Sequence, residues 1–137
     1  FANRQTAKHY VALVDGWLAE DSGEIELPLI CDWPNRPRQI VDHAIGKAAL
    51  TRWQVLAREH DRQGQLQTRI LLSPITGRSH QLRVHMQAIG HPILGDSLYA
   101  PPDVLARAPR LLLHAWKLDL PHPEHGTQLC LTCHPAF

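Results

Sequence analysis

Residues 48–58 read AALTRWQVLAR and residues 66–72 read LQTRILL, with Asp61-Arg62-Gln63-Gly64 between them; residues 78–89, RSHQLRVHMQAI, follow after Ser73-Pro74-Ile75-Thr76-Gly77. Periodicity alone leaves 48–58 open between helix and strand. Two facing apolar, β-branched runs joined across a polar turn ending in Gly predict a β-hairpin. In 78–89, Leu82, Met86 and Ile89 fall at i, i+4 and i+7, which predicts a helix, and Gly90 with Pro92 supplies its stop.

Working outward, Lys8 to Val14 (KHYVALV) reads as a strand, Asp15-Gly16 and Asp21-Ser22-Gly23 as turns, and Glu24 to Leu29 as a short strand. Phe1 to Ala7 reads as the tail of a helix or connector. Cys31 to Arg38 (CDWPNRPR) holds two prolines and is expected to be irregular; its Trp33, Asn35, Arg36 and Arg38 suit a contact loop. His91 to Tyr99 reads as a structured loop, Val104 to Ala108 as a single turn, and Leu111 to Leu120 and Gln128 to Thr132 as closing strands. The fold class is α+β, a mixed and mainly antiparallel sheet around one central helix.

A chain of 137 residues with 44% apolar and 20% charged residues is one globular domain by size and composition. No apolar run approaches the ~20 residues that span a bilayer, and no signal-peptide pattern opens the sequence, so no membrane association and a cytoplasmic location are expected. The net charge is only +1, yet 11 of the 14 basic residues are Arg, whose planar fork suits phosphate and carboxylate, and ten His add directional hydrogen-bonding groups. Three cysteines, Cys31, Cys130 and Cys133, argue for a reducing compartment and against a disulfide framework. Cys130 to His134 matches C-x-x-C-H in form, but no axial ligand or second pair of zinc ligands stands at ligand spacing. It reads more simply as a strand, with no metal expected.

The polar residues concentrate at the helix entrance, where Gly77 to His85 packs Arg78, His80, Gln81, Arg83 and His85 into about two turns. A helix N-terminus bracketed by Arg78 and Arg83 favours anions through its free N–H groups and dipole. The functional reading is a phosphate or carboxylate site where strand, turn and helix meet; the plainer one is a solvated polar face.

The run Ile75-Thr76-Gly77-Arg78-Ser79-His80-Gln81-Leu82-Arg83-Val84-His85, followed by Gly90-His91-Pro92-Ile93-Leu94-Gly95-Asp96, resembles the RluA-type pseudouridine synthases. Lys8-His9-Tyr10-Val11-Ala12 is similar to their K-x-Y-x-A strand, Leu113-His114-Ala115 to their late L-H-A strand, and Pro28-Leu29-Ile30 to their P-L-I segment. Residues 31–38 point to the branch with dual specificity for 23S rRNA and tRNA. The resemblance implies uridine-to-pseudouridine isomerisation in RNA stem-loops of 23S rRNA, tRNA or both, without cofactor, by an enzyme that is monomeric when intact. It implies that Tyr10 stacks on a flipped uracil near the proton lost from the base, and that Arg83 pairs with the nucleophilic Asp. Arg78, His80 and Gln81 stand by as phosphate-facing or structural groups, and Arg36 and Arg38 as RNA contacts.

One departure matters. The family's nucleophile lies in an R-L-D-x-x-T-S-G segment before the K-x-Y-x-A strand, and these 137 residues contain none; Leu118-Asp119-Leu120 is the nearest echo. Residues 1–137 are therefore expected to be the C-terminal part of one catalytic domain, incomplete at its N-terminus. The alternative is a non-catalytic RNA-binding remnant of the same fold. Trp33, Trp53 and Trp116 read as packing residues, Asp96 as a turn residue, and His85 as a group hydrogen-bonded within the fold.

Overall fold

The computed structural model describes residues 7–121 and 128–132, the side chains only for residues 8–116. The expectation for residues 1–6 and the end of the C-x-x-C-H pattern lie outside the described residues. Eight strands are present: β1 (Ala7–Asp15), β2 (Ser22–Glu26), β3 (Leu29–Cys31), β4 (Gln39–Val41), β5 (Leu50–His60), β6 (Leu66–Pro74), β7 (Leu113–Pro121) and β8 (Gln128–Thr132), with helices α1 (Gln81–Ala88) and α2 (Pro102–Leu105). Six strands form one sheet in the order β2-β5-β6-β1-β7-β8, and β3 pairs with β4 apart from it. Every pairing among them is antiparallel.

The hairpin reading of 48–72 holds: β5 and β6 pair from Thr51–Pro74 to His60–Leu66. β1 lies between β6 and β7, which explains its unbroken apolar run, since a central strand covered on both faces does not alternate. On one face Ala12, Val14, Ile70 and Leu72 pack with Leu82 and Met86 of α1 and with Ile93. On the other, Leu13 packs with Leu94 and Val104.

Four local expectations need correction. The helix starts at Gln81, not Arg78, because His80 takes a left-handed conformation (φ 54°, ψ 19°) that cannot continue a helix backward. Arg78 and Ser79 therefore belong to the preceding turn, and only Arg83 of the two arginines lies on the helix. The stop at Gly90 holds: Gly90 adopts φ +86°, and the His91 N–H reaches back to the Met86 carbonyl at 2.9 Å. Residues 31–38 contain one 3-10 turn, Trp33–Asn35, which Pro34 can enter because the first helical N–H needs no partner. The strand Gln39–Val41 is too short for a sequence pattern to mark it. Trp33 is 67% exposed and packs in no core, whereas Trp53 is half-buried against the main core.

After the helix the chain folds back over β1: Asp15 N–H bonds Pro92 O (2.9 Å) and Leu94 N–H bonds Leu13 O (2.9 Å). The return depends on Gly95 at φ +77°, where an added Cβ would lie 1.9 Å from the Arg110 carbonyl oxygen. Backbone cannot move aside there as a side-chain tip can. Gly95→Ala is expected to destabilise the protein by at least about 2 kcal/mol, from the left-handed φ and the clash together. The urea midpoint of the variant against the parent checks it; an unchanged midpoint contradicts the assignment.

Candidate active site

A cleft of about 570 Å³ opens between the start of β1, the exit of β6 and the first turn of α1, and its lining includes Lys8, Tyr10, Arg78, His80 and Arg83. The sequence separates these residues widely; the sheet order brings them together, because β1 and β6 are neighbours with Tyr10 opposite Leu72. Tyr10 is half-buried at the cleft wall. Among the described residues none that lines the cleft is acidic, so they present cations and polar groups to an incoming ligand.

Arg83 is held by a carboxylate of its own chain. Its Nε donates to Asp96 Oδ2 at 3.0 Å and its Nη2 to Asp96 Oδ1 at 2.7 Å, a two-pronged pair. Asp96 is fully buried and also accepts the N–H groups of Leu98 (3.0 Å) and Tyr99 (3.1 Å). The hydrogen bonds to Asp96 raise the Arg83 pKa above its ordinary range against the opposing effect of burial. Asp96 is thus far more than the turn residue expected. Its loop position and distance along the chain from Arg83 hid the pairing; the only signal was an Asp directly after a glycine inside the resembling motif.

Tyr99 is the hub behind the cleft and gave no sequence signal. It is 3% exposed. Its hydroxyl accepts the Gln39 N–H at 2.9 Å and contacts His80 Nδ1 at 2.7 Å. Because the backbone N–H can only donate, the phenolic proton is free for His80 Nδ1, and in that arrangement the imidazole proton sits on Nε2. The guanidinium groups of Arg38 and Arg83 stand 5.0 and 5.2 Å from the Tyr99 ring centre. Burial raises the Tyr99 pKa, so the hydroxyl stays protonated. Burial, then the Arg83 charge, hold His80 below the ordinary imidazole value.

Of the two roles expected for Gln81, phosphate-facing or structural, its contacts are those of an internal clasp. It is 4% exposed. Its Oε1 accepts from Thr76 Oγ1 (2.6 Å) and the Arg78 N–H (3.1 Å), and its Nε2 donates to Leu50 O (2.8 Å) and Thr51 Oγ1 (3.0 Å). All four amide positions are filled. The Thr51 hydroxyl in turn meets His85 Nδ1 at 2.8 Å, and His85 Nε2 meets Leu27 O at 2.9 Å. His85 therefore hydrogen-bonds within the fold, as expected.

The remaining expected residues divide by exposure. Arg78 is exposed at the cleft rim, with Nε on Ala48 O at 2.9 Å. Arg38 is half-buried, donating to Leu98 O and covering Tyr99, so its visible work is structural. Arg36 is exposed and stacks over Trp33 at 4.3 Å. Among the described residues no group of His, Cys, Asp and Glu is arranged to hold a metal ion, and no helix is long and apolar enough to cross a membrane.

A sequence model of the RNA pseudouridylate synthase family matches residues 1–88. The chain belongs to that family. Over its whole length it is 56% identical to the dual-specificity RNA pseudouridine synthase RluA of Yersinia pestis, covering 65% of that protein. Over 129 residues, 94% of the chain, it is 52% identical to the RluA of Escherichia coli K12, covering 57% of it. Among solved structures, human RNA pseudouridylate synthase domain containing 1 superposes with a TM-score of 0.81 at 31% identity, over 97% of this chain and 57% of that one. Human RNA pseudouridylate synthase domain containing 4 superposes with a TM-score of 0.74 at 27% identity, over 98% of this chain and 60% of that one. The mainly antiparallel α+β fold is thus that of pseudouridylate synthase domains, and the chain spans about three-fifths of the curated relatives' length.

Two outcomes follow from the buried groups. Asp96→Ala strips the carboxylate from a largely buried guanidinium and two N–H groups, and is expected to cost about 3–5 kcal/mol, with Asp96→Asn costing less because its amide oxygen still accepts. Denaturant titration of both variants checks the order. His85 is fully buried with its pKa lowered, chiefly by burial, from an ordinary 6.5. Below about pH 6.5 the unfolded chain gains a proton that the folded chain refuses. Stability from this group is therefore full above that pH and falls as pH drops, by up to about 1.4 kcal/mol per pH unit. Urea midpoints between pH 7.5 and 5 should decline, and His85→Asn should flatten the decline.

Proposed function

We propose that residues 1–137 form the C-terminal, RNA-facing part of a single pseudouridine synthase catalytic domain that isomerises uridine in stem-loops of 23S rRNA, tRNA or both. The nucleophilic Asp comes from an R-L-D-x-x-T-S-G segment that this sequence does not contain. The observation that carries the reading is the meeting of Tyr10 and Arg83 in one cation-lined cleft, with Arg78 at its rim. Relatives named for dual specificity favour both RNA classes. The odd cysteine count fits a reducing cytoplasm, and we take the intact enzyme as monomeric.

In this reading uracil leaves the ribose, rotates and rejoins through carbon 5, whose proton is lost. The base must first leave its stack, at a cost of a few kcal/mol. The Tyr10 ring offsets that cost by stacking on the base, and the cations at the rim meet the RNA backbone. Arg83 spends Nε and one Nη2 hydrogen on Asp96. The donors left, on Nη1 and the other Nη2 hydrogen, serve the nucleophilic carboxylate. Shared between two carboxylates, the guanidinium orients the nucleophile more than it lowers its pKa. The absent nucleophile segment favours a second reading for the chain by itself, an RNA-binding remnant; isomerisation by the isolated chain would exclude it.

The test uses a protein joining this chain to the family's nucleophile segment. Tyr10→Ala should lose turnover while binding weakens by ~1–3 kcal/mol, the value of one base stack. Tyr10→Phe separates stacking from proton transfer, and full activity in it contradicts any role for the hydroxyl. Arg83→Lys should keep affinity and lose most of the single-turnover rate. Arg78→Ala should weaken binding chiefly at low salt and reduce the salt slope by about one phosphate contact. Affinity and single-turnover rate across a salt series decide; an Arg83→Lys enzyme with the parent's rate overturns the assignment.

A further inference from the structure

Among the described residues, His80 is the one non-glycine residue at positive φ. A side chain with a Cβ is held there only when its surroundings insist, and such positions gather at functional sites. The helix does not need this imidazole: as the residue before α1, His80 makes no side-chain cap hydrogen bond. Glycine would adopt the same backbone more easily.

What the surroundings insist on is the orientation of the ring. Tyr99 meets it edge-on, with ring centres 5.6 Å apart and planes at 79°, and its phenolic oxygen lies 2.7 Å from Nδ1. Tyr99 is itself pinned by the Gln39 N–H on its hydroxyl and by Asp96 Oδ1 on its own N–H. When the phenol donates to Nδ1, the imidazole proton sits on Nε2. That nitrogen has no hydrogen-bond partner among the described residues, and the ring borders the cleft.

We infer that His80 is a specificity residue for the reaction proposed above, its Nε2–H donating to the carbonyl oxygen at carbon 4 of the flipped uracil. The inference rests on that reading of the cleft. Cytosine carries an amino group at carbon 4, and a donor whose tautomer is fixed would meet that amino group donor to donor. A site built to give one hydrogen bond rejects the analogue that cannot take it, because a polar group is then left unpaired. The groups facing the imidazole are Tyr99, Arg83 and, behind Arg83, Asp96, whose carboxylate is spent on the arginine. Burial and the arginine charge keep the ring neutral. His80 is therefore a directional donor and a poor phosphate ligand, and the phosphate-facing role falls to Arg78.

The experiment uses the protein that joins this chain to the nucleophile segment and two stem-loop RNAs differing only in uridine or cytidine at the target position. The parent should bind the uridine RNA more tightly and release the carbon-5 hydrogen from it. A parent that isomerises no uridine defeats the proposed function itself, before any variant is made. His80→Phe should lower affinity and kcat/KM for the uridine RNA by about tenfold, raise cytidine affinity because the opposed donor is gone, and leave the salt slope untouched. Tyr99→Phe, which keeps the imidazole but frees its tautomer, should lower the uridine-to-cytidine preference in the same direction and by less. Its result stands even if His80→Phe fails to fold. Equal losses for both RNAs in these variants, or a salt slope reduced by about one, overturn the inference: the first marks a structural role and the second a phosphate contact.

Discussion

The buried pair between Arg83 and Asp96 is the constraint on which the site is built. A carboxylate with no exposure is tolerable only if its oxygens are filled, and Asp96 fills them with both prongs of Arg83 and the N–H groups of Leu98 and Tyr99. One group thereby ties the helix to the loop that follows it and sets the position of Tyr99. From Tyr99 the restraint spreads to Gln39, Arg38 and His80. The cleft wall inherits its geometry from a charge pair behind it. Such a pair adds little net stability over an apolar replacement, but it is costly to break from one side, which is how it enforces a single arrangement.

A second polar chain does the same for the turn before the helix. Gln81 bonds Thr76, the Arg78 backbone, Leu50 and Thr51, and Thr51 passes the chain to His85 and so to Leu27. These groups lie between α1 and β5 with every partner supplied internally, so the network stiffens the junction instead of destabilising it. The polar motif at residues 75–85 thus divides by direction. Thr76, Gln81 and His85 spend their polar groups inward and hold the turn, Thr76 and Gln81 at the floor of the cleft; Arg78, His80 and Arg83 bring their charged or imidazole groups to its border.

Much of the fold was legible in local pattern. Alternation and turn chemistry marked the hairpin of residues 50–74, and the i, i+4, i+7 spacing of Leu82, Met86 and Ile89 marked α1, with Gly90 as its end. The misses share a cause. The helix begins three residues late because His80 is left-handed, with its ring against Tyr99, nineteen residues away. β4 is three residues long and exists through pairing with β3. Trp33 read as a packing residue, yet its loop projects it outward under Arg36.

The sequence by itself determined the elements whose causes are local: apolar periodicity, glycine and proline stops, and a motif specific enough to point to the family and to Tyr10 and Arg83. Only the tertiary structure decided which polar residues face the cleft and which are spent inside. That choice depends on partners distant in the chain, Asp96 for Arg83, Leu50 and Thr51 for Gln81, and Tyr99 for His80. A hydrogen bond between residues many positions apart leaves no periodicity behind, so an Asp after a glycine and a Tyr in a loop carry no mark of the arginine and histidine they hold in place.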